Sequence, residues 1–558
     1  MENEPPTTLP PLPDTTPDSS APDRRRWPVA VATLTALALV AVAGWRINAT
    51  HGSHAHPVAT PSGEASASLL GEQLQADQFA QQVGESLVAS HQDSNGGWRF
   101  PSEIQSPHFQ TDRDVGAASV LMGFLALDSQ YSKDSRWLNA AKQTATWLEA
   151  VSKQDAAGGR YWPDYADKGK VSESYYTSFD DGTIGVADAF WRLYERTGDA
   201  HYKTIAQQGV EWTMAHAENV GLSGGDAVYR WKYDVGPAGD AQDYEMGMGE
   251  GQVGIVDALT TFYTRTKDTD PAFAAKCKNY IAGGLRYINA VQAALGGNDG
   301  DSRALPEVGV IGQDGDTLMN TGYLSGAAGL NYMYLHLYQA LGGAQYLQQA
   351  EKTLSWLNAT KTDFGHGTAA WKIATDPQDD NTEDTVTYNH YATGVEEGNA
   401  GIGWSMLQGY NLLRQKNDPN AGGYLTAAKQ AADWLLKTAT NDKNGGLSWP
   451  EYQNPASPLT HANLDNGAAG ISVFLMDVYR STGDKRYLEG AQAGQEWLVA
   501  TATNKDGKVY WKDSDEGSSY ANDPSWHWGE SGAAASFIRL AGGELDMPGE
   551  QPGLVGTN

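Results

Sequence analysis

An all-α fold, seven inner and seven outer helices closed into an (α/α)7 toroid, is what this sequence predicts. Three observations lead there. A helical repeat recurs along most of the chain, its two helix types alternate in polarity, and a glycine- and aromatic-rich loop separates successive copies. The repeat is plainest in Asp181-GTIGVADAFWRLYERTGDAHY and Asn466-GAAGISVFLMDVYRSTGDKRY. Both read G-x-x-G, an apolar helix, then Y-x-x-T-G-D-x-x-Y. Related copies start at Glu250, Ser325 and Glu397, and degenerate ones near Asp114 and Trp528, which makes seven.

The chain opens with residues 1–26, a Pro-rich stretch with little to bury that ends in Arg24-Arg25-Arg26 and is expected to be disordered. Residues 27–45, from Trp27 to Trp45, carry no charge and read as a transmembrane signal anchor. The arginines ahead of it place the N-terminus in the cytoplasm and the rest of the chain outside, or secreted if the segment is cleaved. Residues 46–70 are a polar linker whose His51, His54 and His56 read as solvated. The toroid is expected over 71–545, opening with an outer helix near 72–91, and 546–558 form a second tail.

First-type helices are small and apolar nearly all round, so they belong inside the ring. Second-type helices end in Trp-Leu pairs such as Trp147-Leu148 and Trp434-Leu435, carry Lys, Gln and Glu on one face, and belong outside. The T-G-D turn supplies a helix-stop glycine and a capping Asp. The glycines of G-x-x-G are expected to let helix backbones approach closely. Returning loops such as GGRYWPDY (158–165) and GGLSWPEY (445–452) are expected to be short hairpins at the mouth that holds the inner-helix N-termini. Their tryptophans read as plugs that pack under the loops.

Composition narrows the chemistry. The 558 residues hold 39 Lys+Arg against 68 Asp+Glu, a net charge of −29, which disfavours nucleic acid as a partner. A single cysteine, Cys277, excludes an internal disulfide and a thiolate metal cage. It looks incidental, and mid-helix His336 reads as a satisfied core histidine. Asp376–Thr385 is a solvated acidic loop without EF-hand spacing.

The repeat resembles that of the lanthionine synthetase C-like family, the lanthipeptide cyclases and their relatives, over roughly 72–542. The resemblance implies a seven-fold α/α barrel and, in the family, a zinc ion held by the Cys of W-C-x-G-x-x-G and the Cys-His of C-H-G. Those positions fall here on Glu396 and on Asp465-Asn466, so all three ligands are replaced and neither metal nor cofactor is expected. Gln92-DSN-Gly96-Gly97-Trp98 is similar to a single QW motif of terpene cyclases, without their D-x-D-D acid motif.

The residues ahead of the inner helices are mostly acidic, and the toroid gathers them round one opening. Single acids there are ordinary helix caps, but convergence and doubling suggest paired carboxylates for acid–base work. Glu397 and Asp465 are the expected catalytic pair, with Asp181 and Glu250 next. His390, His461, His527, Trp528, Tyr323, Glu396 and Glu530 are the expected substrate-binding residues. Aromatic faces beside carboxylates suit a neutral or cationic glycan, so a glycoside hydrolase is the leading expectation, with lyase and epimerase chemistry compatible. The alternatives are a zinc-independent, cyclase-like protein that modifies a peptide, and a non-catalytic glycan- or peptide-binding scaffold.

Overall fold

The structure, a computed structural model, describes residues 63–541 apart from 102–107, 222–224, 238, 240–243, 296–318, 376–389, 444, 454–455, 458, 506, 513–519 and 522. For 63–74 it describes the backbone alone. The expected tail, signal anchor, loop 376–385 and C-terminal tail lie outside the described residues. Among those described, no helix is long and apolar enough to cross a membrane.

Fourteen helices are described. Seven are inner: α2 (Ala117–Gln130), α4 (Thr183–Thr197), α6 (Gln252–Thr266), α8 (Ala327–Leu341), α10 (Asn399–Gln415), α12 (Ala468–Thr482) and α14 (Glu530–Leu540). Seven are outer: α1 (Gly63–Ser90), α3 (Ser135–Val151), α5 (Ala200–Ala215), α7 (Pro271–Leu295), α9 (Ala344–Thr360), α11 (Ala421–Thr438) and α13 (Lys485–Thr501). Helix α1 starts inside the stretch expected to be linker. Each inner helix packs on the inner helices before and after it, and α14 closes the ring on both α2 and α1.

Polarity explains the layers. In α12 every residue from Ala468 to Val478 is buried, whereas α9 buries only Ala350, Thr353, Leu354 and Leu357. The T-G-D turns work as their chemistry requires. Gly198 and Gly483 take φ of 72°, where a side chain would strain the backbone, and Asp199 and Asp484 accept from the N–H groups of His201 and Arg486.

The returning loops form nine small antiparallel sheets among the described residues. Some pair neighbouring loops with each other, as Tyr391–Ala392 with Tyr452–Gln453, so the mouth has a stitched collar. The loop tryptophans close the outer layer beneath it. Trp162, Trp231, Trp371, Trp449 and Trp511 each donate an indole N–H to a carbonyl at the end of the preceding outer helix, at 2.6–2.9 Å. Those carbonyls also accept from the backbone N–H that ends each helix, so each indole adds a second donor there and ties the loop to the helix end. Cys277 is buried in α7, where burial pushes its thiol up to about 12. His336 meets Asp257 at 2.7 Å inside the barrel, a satisfied core histidine.

Candidate functional site at the toroid mouth

Each inner helix is entered through a turn that is best numbered back from its first glycine, which opens G-x-x-G in six copies and Gly116-Ala-Ala-Ser119 in α2. Two residues before that glycine stand Asp114, Asp180, Gly249, Leu324, Glu396, Asp465 and His527. These positions are sutured by backbone. The carbonyl of Asp180 accepts from the N–H groups of Arg113 and Asp114 at 2.8 and 3.2 Å, and that of Asp465 from Val395 and Glu396 at 2.5 and 3.0 Å. The carbonyls of Gly249, Leu324, Glu396 and His527 are used the same way by the turn before each. The seven turns therefore crowd together at the mouth.

The second glycine of the motif has a different reason from the one expected. A Cβ on Gly185 would fall inside the carbonyl oxygen of Phe179, and one on Gly470 inside that of Leu464. The close approach is between the helix and its own entering turn, not between two helices.

Position in the turn decides where each acid points. Asp112, four before the glycine, accepts from the N–H groups of Val115 and Gly116 at 2.8 Å each, and Asn463 caps its turn likewise. These are local caps. Gln252 and Asn399, one after the glycine, clamp the backbone of Trp231 and Trp371. Glu530 holds that same position. Its Oε2 accepts from Ser86 at 3.4 Å, buried between α14 and α1 and turned out of the mouth.

One residue before the glycine, Asp181 accepts from the Tyr233 hydroxyl at 2.6 Å, and Glu250 is exposed on the rim. Glu397 turns back to the neighbouring turn, where its Oε1 accepts from the Ser325 hydroxyl at 2.5 Å and backbone N–H at 3.2 Å. Asn466 donates its amide to Glu396 Oε2 at 2.9 Å. The residue brought against Asp465 is thus Glu396 rather than its neighbour Glu397.

The central group has an unusual charge pattern. Burial pushes the Glu396 carboxyl up to about 8, with the charges of Asp465 and Glu397 adding to it. Burial also raises Asp180, to about 6, against the pull of His527 and Arg113. Burial opposes a charge on His527, but the carboxylates of Asp465, Asp180 and Asp114 outweigh it and push the imidazole up to about 10. Its Nδ1 lies 3.1 Å from Asp465 and 3.7 Å from Asp114. Raised carboxyls and a raised imidazole therefore stand side by side at the mouth.

Beneath this group lies a pocket lined by Asp180, Asp465 and His527 at its lip and by Phe179, Tyr323, Trp404, Leu464, Val473 and Phe474 further in. Tyr323 meets the Trp404 ring edge-on at 5.3 Å. Arg113 is buried beside it, its guanidinium 4.3 Å above the Phe179 ring and 3.7 Å from Asp188. Of the other expected binding residues, Trp528 is 38% exposed. His390 is buried and stacked on Tyr452 at 4.2 Å, and His461 is buried in the turn before α12. Asp114 and Asp180, two of the acids ahead of the inner helices, and Arg113 join the site beyond the residues expected to act in it. Alignment of all seven turns on their first glycine would have found the first two.

Zinc of the family's kind does not fit these residues. Glu396 and Asp465 are hard oxygen donors, and Asn466, in the place of the histidine ligand, spends its amide as a hydrogen-bond donor to Glu396. Asp114, Asp465 and His527 each bring one atom within 4.8 Å of the others.

Similar solved structures include a nisin cyclase, at 10% identity over 86% of this chain and 94% of that one, with a TM-score of 0.47. A sugar epimerase from a ruminal bacterium aligns at 12% identity over 84% and 100%, TM-score 0.46. A family 76 glycoside hydrolase, an α-mannanase of Bacteroides thetaiotaomicron, aligns at 12% over 84% and 95%, TM-score 0.43. No curated protein matches the chain. The model of the family described as lanthionine synthetase C-like protein matches residues 180–546, about two thirds of the sequence, and the chain belongs to that family.

Proposed function

We propose that the mouth is the active site of a glycoside hydrolase acting on a neutral or cationic glycan, with Glu396 as general acid and Asp465 as its partner. The observation that carries this reading is a pair of acids from adjacent turns in unlike surroundings, Glu396 held by the Asn466 amide at 2.9 Å and Asp465 set 3.1 Å from His527 Nδ1. Burial raises the Glu396 carboxyl to about 8, in the direction a general acid requires. Glu396 passes its proton to the glycosidic oxygen as the bond to the anomeric carbon breaks. Asp465 then takes a proton from the attacking water or bonds to that carbon itself. Asp181, bonded to Tyr233, and the exposed Glu250 and Trp528 would hold sugar units entering the mouth. The toroid would be held outside the cytoplasm by the anchor of residues 27–45.

The test is incubation with a glycan panel, scored by new reducing ends and product masses, for the wild type and Glu396→Gln. Release by the wild type and a loss of about 100-fold or more in the variant are expected. Family membership favours a second reading, a zinc-independent protein that binds or modifies a peptide. Peptide mass shifts with no glycan product would favour it.

A further inference from the structure

The pocket under the catalytic group has no role in the hydrolytic step, and its chemistry differs from that of the rim. Phe179, Tyr323, Trp404, Val473 and Phe474 make it apolar, and Asp180, Asp465 and His527 form its lip. A sugar ring carries hydroxyls on every edge and would leave them unpaired against these side chains. An apolar group loses nothing there and displaces poorly held water. The lip also offers one donor. His527 is 2% exposed, its Nδ1 is taken up by Asp465 at 3.1 Å, and its Nε2–H has no acceptor among the described residues. A buried N–H without an acceptor is costly, and an incoming ligand oxygen would satisfy it. Carboxylates on the same lip repel anionic ligands.

We propose that this pocket is a subsite for the apolar group of an amphipathic glycoside, an aryl or branched-alkyl substituent, and that His527 Nε2–H holds an oxygen of the same ligand at the lip. The inference rests on the glycoside reading and narrows it from glycans in general to glycosides that carry such a group. The sugar then occupies the mouth near Glu396 and Trp528, with its substituent pointing down the barrel axis.

The experiment is equilibrium binding of matched phenyl and methyl glycosides of common hexoses to the full chain, kept soluble without glycoside detergents. At least one phenyl glycoside is expected to bind about 10- to 100-fold more tightly than its methyl counterpart. Val473→Phe and, separately, Leu464→Trp fill the pocket and should bring that ratio close to one. Circular dichroism confirms that each variant is folded, and the wild-type ratio decides the matter even if neither is. His527→Phe should weaken the phenyl glycoside about 10-fold. Equal binding of the two glycosides by the wild type, or a preference that survives both filled pockets, overturns the proposal. Tight phenyl binding without any cleavage would sink the hydrolase reading and leave the subsite standing.

Discussion

Asn466 donates its side-chain amide to Glu396 Oε2 at 2.9 Å, and so joins two positions at which the family places zinc ligands. A hydrogen bond between neighbouring turns stands where a metal would otherwise bridge them. Zinc analysis of the purified protein should find well under one ion per chain, and chelators should leave its melting temperature unchanged. Glu396→Cys, Asp465→Cys and Asn466→His together rebuild a soft donor set, and that triple variant is expected to take up zinc stoichiometrically. Stoichiometric zinc in the wild type would contradict the account.

The protonation pattern makes the fold sensitive to alkali. Glu396 and Asp180 titrate higher in the folded chain, at about 8 and about 6, than carboxyls do when unfolded, so the native state binds the extra protons. Their contribution is complete below about pH 4 and is lost as pH rises through those values. His527, at about 10, adds a contribution that is lost between about pH 6.5 and 10. Melting temperature should therefore fall by several degrees from pH 5 to pH 10. Glu396→Gln should flatten the part of that fall below pH 8, as read by calorimetry.

The second glycine of α12, Gly470, should tolerate no side chain. Gly470→Ala puts a methyl into the carbonyl of Leu464 and should cost about 3 kcal/mol or prevent folding, through displacement of the turn that carries Asp465. Gly422, near the start of α11, has open space where its Cβ would be, and Ala there should stabilise by up to about 1 kcal/mol. Chemical denaturation of the two variants checks both signs.

Glu397 and Glu396 should separate by phenotype. Glu397 accepts twice from Ser325 and ties two turns together, so Glu397→Gln should lower stability by about 1–2 kcal/mol. Its kcat should fall less than about tenfold, whereas Glu396→Gln should lose catalysis with stability kept at pH 8. Equal kinetic losses in the two variants would return the acid role to Glu397.

The architecture was legible because each repeat states its own helix types. Apolar inner helices, T-G-D turns and Trp-Leu outer helices are local patterns, and the seven-fold count closes only as a ring. The site was half legible. Asp465 and His527 were singled out, yet Glu530 and Glu396 look alike as acids beside a glycine. A shift of three positions across that glycine sends one toward Ser86 and the other toward Asp465. The direction of a side chain in a tight turn depends on the backbone path, and composition does not reveal it. The apolar pocket was illegible for a related reason. Its lining comes from turns and inner helices far apart in sequence, and apart from Tyr323 its apolar members read as core.

The most direct test of the central claim is product analysis after the full chain meets a panel of neutral and cationic glycans, wild type beside Glu396→Gln and Asp465→Asn. New reducing ends from at least one glycan are expected with the wild type, and losses of about 100-fold or more in each variant. Full activity in either variant, or peptide modification with no glycan cleaved, would contradict it.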